Sequence, residues 1–115
     1  MSWDIELTDE NTREPVQVDR HEEGGTYVMG GTTDADLNVT YNYGEVTRLV
    51  DFDFRDSLDE KCARDTIELL RVVVDRLGTR RFKDYWAPTP GNAGHAASIL
   101  LRWAEQQPDA VWRVT

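Results

Sequence analysis

Ser57-Leu58-Asp59-Glu60-Lys61-Cys62-Ala63-Arg64-Asp65-Thr66-Ile67-Glu68-Leu69-Leu70-Arg71-Val72-Val73-Val74-Asp75-Arg76-Leu77-Gly78 carries the clearest helical period in the chain. Ala63, Ile67, Leu70, Val74 and Leu77 recur every three or four residues and share one face of an α-helix. Leu69, Val72 and Val73 widen that face, so this helix is expected to be the central one. Ser57 followed by Glu60 has capping-box spacing, in which a hydroxyl and a carboxylate satisfy free N–H groups of the first turn. Gly78 supplies a stop beyond the last turn, and Arg71 and Arg76 sit near the negative end of the helix dipole.

Upstream of this segment the period is two. Trp3-Asp4-Ile5-Glu6-Leu7 and Val16-Gln17-Val18-Asp19 alternate apolar and polar residues, as half-buried strands do. They are expected to pair as a hairpin across the turn-forming stretch 8–15. His21 to Gly25 reads as a loop, Thr26-Tyr27-Val28-Met29 as a short strand, and Leu37-Asn38-Val39-Thr40-Tyr41 as a strand or a strand running into a helix. Between Tyr43 and Phe54 the two periods compete. Val46, Leu49 and Val50 have helical spacing, whereas Phe52 and Phe54 alternate with Asp51 and Asp53, so a short helix ending near Val50 and then an extended link are expected.

Downstream, Thr89-Pro90 has the form of an N-cap followed by a first-turn proline. Ala93, Ala96, Ala97, Leu100, Trp103 and Ala104 form the buried face of the helix it starts, and the alanines allow close approach to a neighbour. Gln106-Gln107-Pro108 ends it, and Val111-Trp112-Arg113-Val114 alternates and should return to the sheet. Strands first, helices next and a strand last give an α+β fold. The expected architecture is a single domain over 1–115, with a mainly antiparallel sheet of about four to five strands and two to three helices on one face.

A chain of 115 residues has room for one domain and buries roughly two-thirds of its unfolded surface. Hydrophobic residues make up 39%, four of them Trp, which supports a packed core rather than disorder. Cys62 is the single cysteine, so neither an intrachain disulfide nor a cysteine-based zinc site can form, and a reducing compartment fits. No apolar run approaches the ~20 residues of a membrane span, and the start lacks a basic and apolar leader. These features favour a soluble cytoplasmic protein with no membrane partner. The net charge of −9, from 22 acids and 13 bases, argues against nucleic-acid binding, which needs a basic face. Lys61 and Lys83 are the only lysines. Acid excess with few lysines suits either a high-salt cytoplasm or a GC-rich genome.

Polar chemistry concentrates in two places. Gly24-Gly25-Thr26 and Gly30-Gly31-Thr32 could hold backbone N–H groups around an anion, but no Gly-Lys-Ser/Thr ending follows, and turns or bulges are the simpler reading. Asn38, Thr40 and Asn42 alternate with Val39, Tyr41 and Tyr43. On a strand they would form a hydrogen-bonding wall for a small polar ligand, backed by stacking phenols; the alternative is a solvated face over an aromatic core. Trp86, Thr89 and Asn92 precede or open the last helix, where free N–H groups and an aromatic shelf suit an anion. The ligand-binding set is therefore Asn38, Thr40, Tyr41, Asn42, Tyr43, Trp86, Thr89 and Asn92.

Asp51, Asp53, Asp56 and Asp59 lack the glycine and closing glutamate of a calcium loop and read as a solvated edge. His21 and His95 have no partner at metal-ligand spacing, so no metal or cofactor is expected. Cys62 reads as a small apolar side chain and Ser57 as a cap, which leaves no assigned catalytic residue.

Several segments also carry a resemblance. Gly24-Gly25-Thr26-Tyr27, Gly30-Gly31-Thr32, Leu37-Asn38-Val39-Thr40-Tyr41-Asn42-Tyr43, Tyr85-Trp86-Ala87-Pro88-Thr89-Pro90-Gly91-Asn92-Ala93 and Pro108-Asp109-Ala110-Val111-Trp112 are similar to small uncharacterised proteins of tailed phages, prophages and microbial genomes. The likeness covers most of the chain at low density, and the stretch 51–77 departs from it. It implies a mobile-element or microbial origin and no particular activity.

The leading expectation is a non-enzymatic binding module for a small polar or nucleotide-like ligand, or for a segment of a partner protein. Two alternatives stand beside it. One is a homodimer or assembly component with Trp3, Trp103 and Trp112 at an interface; the other is a small enzyme using Asp51 or Asp53 with a tyrosine. The charge balance sets a first test. If the acid excess is an adaptation to high salt, the denaturation midpoint rises steeply with molar potassium chloride; a flat response in a salt titration assigns the composition to genome bias instead.

Overall fold

A computed structural model describes residues 1–21, 32–84 and 86–115. The two Gly-Gly-Thr units up to Gly31, the strand expected at Thr26–Met29, and Tyr85 lie outside the described residues. The described elements are strands β1 (Ser2–Thr8), β2 (Gln17–His21), β3 (Thr32–Asp34), β4 (Asp36–Thr40) and β5 (Val111–Val114), with helices α1 (Gly44–Thr47), α2 (Ile67–Leu77) and α3 (Pro90–Gln106). Short 3-10 turns flank α1 on both sides and lead into α2. This is an α+β domain.

The strands form two antiparallel sheets, one of order β4-β1-β5 and one pairing β2 with β3. In the first sheet Trp3 lies opposite Val39, Ile5 opposite both Leu37 and Val114, and Leu7 opposite Trp112. Strand alternation puts all of these on one face. Ile5, Leu7, Leu37, Val39, Trp112 and Val114 are buried there against Leu70, Val73, Ala93, Ala97, Leu100 and Trp103 of α2 and α3. The other face carries Asp4, Glu6, Asp36, Asn38 and Arg113.

β1 and β2 do not form the expected hairpin. They meet only at the chain reversal, where Thr8 bridges Pro15 and the Asp9 N–H donates to Glu14 O (2.9 Å). At that point three chain segments share backbone hydrogen bonds in a ring. The N–H of Leu7 donates to the carbonyl of Ala35 (3.0 Å), that of Ala35 to Val16 (3.0 Å), and that of Val16 to Leu7 (2.9 Å). The β3–β4 chain thereby passes from β2 to β1 at Ala35, which is completely buried. β1 is consumed by β4 and β5, so β2 is left to pair with β3.

The largest correction falls on the segment 57–62, expected to be the first turns of the central helix. It forms turns through Glu60, and the chain from Glu60 to Ala63 then runs along the outer edge of β5. The N–H of Glu60 donates to Trp112 O (2.8 Å), Trp112 N–H to Lys61 O (3.0 Å), and Ala63 N–H to Ala110 O (2.8 Å). An uncovered edge would leave the polar groups of β5 unpaired, and pairing them outweighs local helix propensity. Ser57 is therefore not a helix cap. Its hydroxyl accepts the N–H of Asp53 (3.0 Å), while the Asp53 carboxylate accepts the N–H groups of Arg55 and Asp56 (2.8 Å each). The link after Val50 is accordingly a series of turns, anchored by buried Phe52, Phe54 and Leu58, and not extended chain.

α2 ends at Gly78, which adopts φ 74°. α3 starts as its sequence implies, with the Thr89 hydroxyl accepting the Asn92 N–H and Pro90 in the first turn. Its small residues meet backbone directly. A Cβ on Gly94 would overlap the carbonyl oxygen of Gly78, and one on Gly91 would overlap that of Arg80. Trp103 and Trp112 stack 6.4 Å apart, and the Trp112 indole N–H donates to Thr66 Oγ1 (2.9 Å). Both indoles are shut inside the core, which removes them from any subunit interface; Trp3 is half-buried.

These contacts predict the behaviour of Gly94→Ala. The new methyl must push α3 away from the end of α2, so the variant loses roughly 1–3 kcal/mol of stability despite alanine's better helix propensity. Chemical denaturation of this variant beside Ala97→Gly reads the effect. An unchanged or raised midpoint for Gly94→Ala would show that the two backbones are not in contact.

Candidate functional site

The eight residues singled out by sequence divide into a buried group and a surface group. β4 stops at Thr40, so the period-two alternation stops there too. Thr40 is buried, and its hydroxyl accepts the Asn42 N–H (3.2 Å), capping the 3-10 turn Tyr41–Tyr43. Asn38, Thr40 and Asn42 therefore do not share one wall. Asn38 stays on the outer sheet face, where its amide donates to Ser2 Oγ (2.7 Å) and Asp4 Oδ1 (2.9 Å). Tyr43 turns into the core.

Asn92 is 2% exposed and holds the preceding loop to α3. Its Oδ1 accepts the Phe82 N–H (2.8 Å), and its Nδ2 donates to the carbonyls of Asp84 (3.1 Å) and Ala87 (2.9 Å). Thr89 caps the same helix. The polar groups of Thr40, Thr89 and Asn92 thus satisfy backbone groups, which is what buried polar side chains must do.

Tyr41, Asn42 and Trp86 are different. Tyr41 is 42% and Trp86 48% exposed, both high for large aromatic side chains. The Asn42 amide donates to the Trp86 carbonyl (2.9 Å) and so ties the turn after β4 to the loop before α3. Tyr41 packs edge-on against Trp3, with ring centroids 4.7 Å apart, and Trp3 in turn leans on Phe54 at 5.3 Å. Trp3, Tyr41, Asn42, Glu45, Arg48 and Asp53 line an open depression of about 430 Å3. The sequence places Trp3 on a strand and, in the assembly reading, at a subunit interface, but not in the ligand-binding set. It reaches this surface because the β1–β4 register sets it beside Val39, a pairing that becomes visible only after the sheet has formed.

The acidic residues have separate roles. Asp53 caps a turn, Asp59 Oδ1 accepts the Val114 N–H (2.9 Å), and Asp51 sits in the left-handed region at φ 54°. Among the described residues no group of three His, Cys, Asp or Glu side chains could hold a metal ion. The Cys62 thiol contacts Pro108 O at 3.3 Å. His21 lies 4.8 Å from the Trp103 ring, with Nε2 2.7 Å from Asp34 O. No described helix is long and apolar enough to cross a membrane.

On the outer sheet face Asp4, Asp34, Asp36 and Asn38 surround a small recess with Thr32. Partial burial raises the Asp36 carboxyl above its ordinary value of 3.8; Glu6, Asp4 and Asp34 add to the rise, and His21 opposes it. A carboxyl raised in the folded state favours folding while protonated and penalises it once ionised. The penalty is absent below pH 3.8 and grows as pH rises through the elevated folded value. Asp36→Asn should therefore melt above the parent at pH 7, with the gap closing on acidification below the usual carboxylate range and shrinking in salt. Equal melting temperatures at pH 7 in low salt would show that Asp36 carries no such penalty.

No protein-family model, no curated protein and no solved structure matches this chain.

Proposed function

We propose that this protein is a small non-enzymatic binding module that takes an extended segment of a partner protein across Trp3, Tyr41, Asn42 and Trp86. One observation carries the reading: Trp3 and the exposed Tyr41 line one open depression, and Asn42 on its rim donates to the carbonyl of Trp86, whose own side chain is about half exposed. Tyrosine and tryptophan supply large contact area at low entropic cost, and they dominate the binding energy of protein interfaces. The depression is open, whereas a site for a small molecule normally encloses most of its ligand. Shape therefore favours a peptide segment over the nucleotide-like ligand that the polar residues also suggested.

In this reading Asn38, Thr40, Tyr43, Thr89 and Asn92 support the surface from behind. The Asp53 carboxylate, half of the acid–base pair considered for catalysis, accepts two backbone N–H groups. That engagement favours binding over chemistry. A cytoplasmic location and a phage or prophage origin complete the proposal and rest on sequence features alone.

Native mass spectrometry of protein purified gently from its source tests the proposal first, followed by affinity capture with the parent, Tyr41→Ala and Trp86→Ala. A co-purifying protein that binds the parent and is weakened at least about tenfold by either substitution supports the site. A partner held equally by both folded variants places binding elsewhere. A small extra mass lost on Trp86→Ala substitution would replace the peptide with a small ligand.

A further inference from the structure

A second concavity among the described residues has a lining separate from that of the aromatic depression. It is a groove of about 500 Å3 between the turn that follows β1, the turn 55–60 and the end of β5. Its floor includes the buried Thr8 and Trp112. Arg13, Arg55 and Arg113 line it, one from each wall.

Like Arg20, Arg48, Arg76, Arg80 and Arg102 among the described residues, these three guanidinium groups have no ion pair; what sets them apart is that they line one groove together. Arg64 pairs with Asp109, and Arg71 with Glu68 and Glu105. Among the described residues Arg13, Arg55 and Arg113 make no ion pair, although Asp9, Glu10, Asp59 and Glu60 line the same groove. Two of those carboxylates are already engaged. Asp9 accepts the N–H groups of Asn11 (2.8 Å) and Thr12 (3.0 Å), which hold its carboxyl below the ordinary value, and Asp59 accepts that of Val114. Accepting N–H groups does not neutralise a carboxylate, so all four acidic side chains count in the groove's charge.

The backbone at the lips is also unusual. Arg13 and Glu60, with φ 62° and 65°, are two of the three non-glycine residues in the left-handed region among those described. That conformation costs free energy for side chains of this size. At Arg13 it closes a turn whose ends are bonded from Asp9 N–H to Glu14 O and from Arg13 N–H to Asp9 O, so the arginine sits on a short, fixed lip.

We infer that this groove is a second binding site, specific for a small oxyanion group carried as a phosphate or a carboxylate. The planar fork of a guanidinium matches two oxygens at once, and three unpaired forks around one concavity can enclose such a group. The four carboxylates set the selectivity. They repel long polyanions, in keeping with the net charge of −9, and leave room for one compact anion.

The test is a two-dimensional amide NMR titration of the whole chain in low-salt buffer, with inorganic phosphate in one arm and citrate in the other. Saturable shifts confined to residues 8–13, 55–60 and 111–115 are expected, and the arm that saturates first names the oxyanion. Arg55→Ala and Arg113→Ala, both at exposed positions, should each weaken that anion about tenfold, with Arg113→Lys recovering only part of the loss. Glu60→Gln should strengthen it, and Trp86→Ala should leave it unchanged, which separates this site from the aromatic one. Linear, non-saturating shifts in both arms, or saturation mapped outside the groove, overturn the inference. So does saturable binding that both arginine variants retain while their spectra show the native fold.

Discussion

The direct meeting of two backbones at the start of α3 governs the rest of the molecule. Gly91 and Gly94 leave no side chain between this helix and the chain leaving α2, so the carbonyls of Arg80 and Gly78 occupy that space. Such proximity lets Asn92, between the two glycines, reach three backbone groups of the loop 82–87. The loop then presents the Trp86 carbonyl to Asn42. The aromatic surface is thus the last link of a chain that begins with two missing Cβ atoms. Close packing transmits position in this way because protein interiors have no slack to absorb a displaced element.

A second constraint acts at the other end of the sheet. β5 has one neighbour, β1, and would expose its outer edge. The segment 59–63 closes that edge, and the Trp112 indole fastens the start of the α2 region through Thr66, whose hydroxyl in turn donates to Ala63 O at 2.8 Å. Buried indole N–H groups require a partner, and here the partner is a residue at the turn where extended chain becomes helix. The same closure builds the outer wall of the arginine groove, because Asp59 and Glu60 are held beside Val114 and Trp112. One edge-pairing event therefore both completes the core and shapes a surface concavity.

Polar density in a sequence does not distinguish a site from a scaffold. The run from Asn38 to Tyr43 holds five polar or aromatic residues, and the structure disperses them. Thr40 caps a turn, Tyr43 enters the core and Asn38 bonds across the sheet, which leaves Tyr41 and Asn42 at the surface. The unpaired arginines of the groove left no mark in the sequence, since Arg13, Arg55 and Arg113 are far apart along the chain and each reads as an ordinary surface residue. Only the folding of two separate turns against β5 brings them to one concavity.

What the sequence determined by itself is local. The start of α3 at Thr89-Pro90, its alanine face, the stop at Gly78, a short helical segment near 44–50 (α1 and the 3-10 turn after it) and the α+β class all follow from capping chemistry, periodicity and segregation of strands from helices. Each depends on residues within a few positions of one another. Tertiary structure decided the rest: the pairing of β1 with β4 and β5 instead of β2, the conversion of 57–62 from helix to edge cover, and the burial of Trp103 and Trp112. In each case hydrogen bonds or contacts between residues distant in sequence outweighed a local preference. Such preferences amount to fractions of a kcal/mol per residue, whereas an unpaired buried polar group costs about 1–3 kcal/mol.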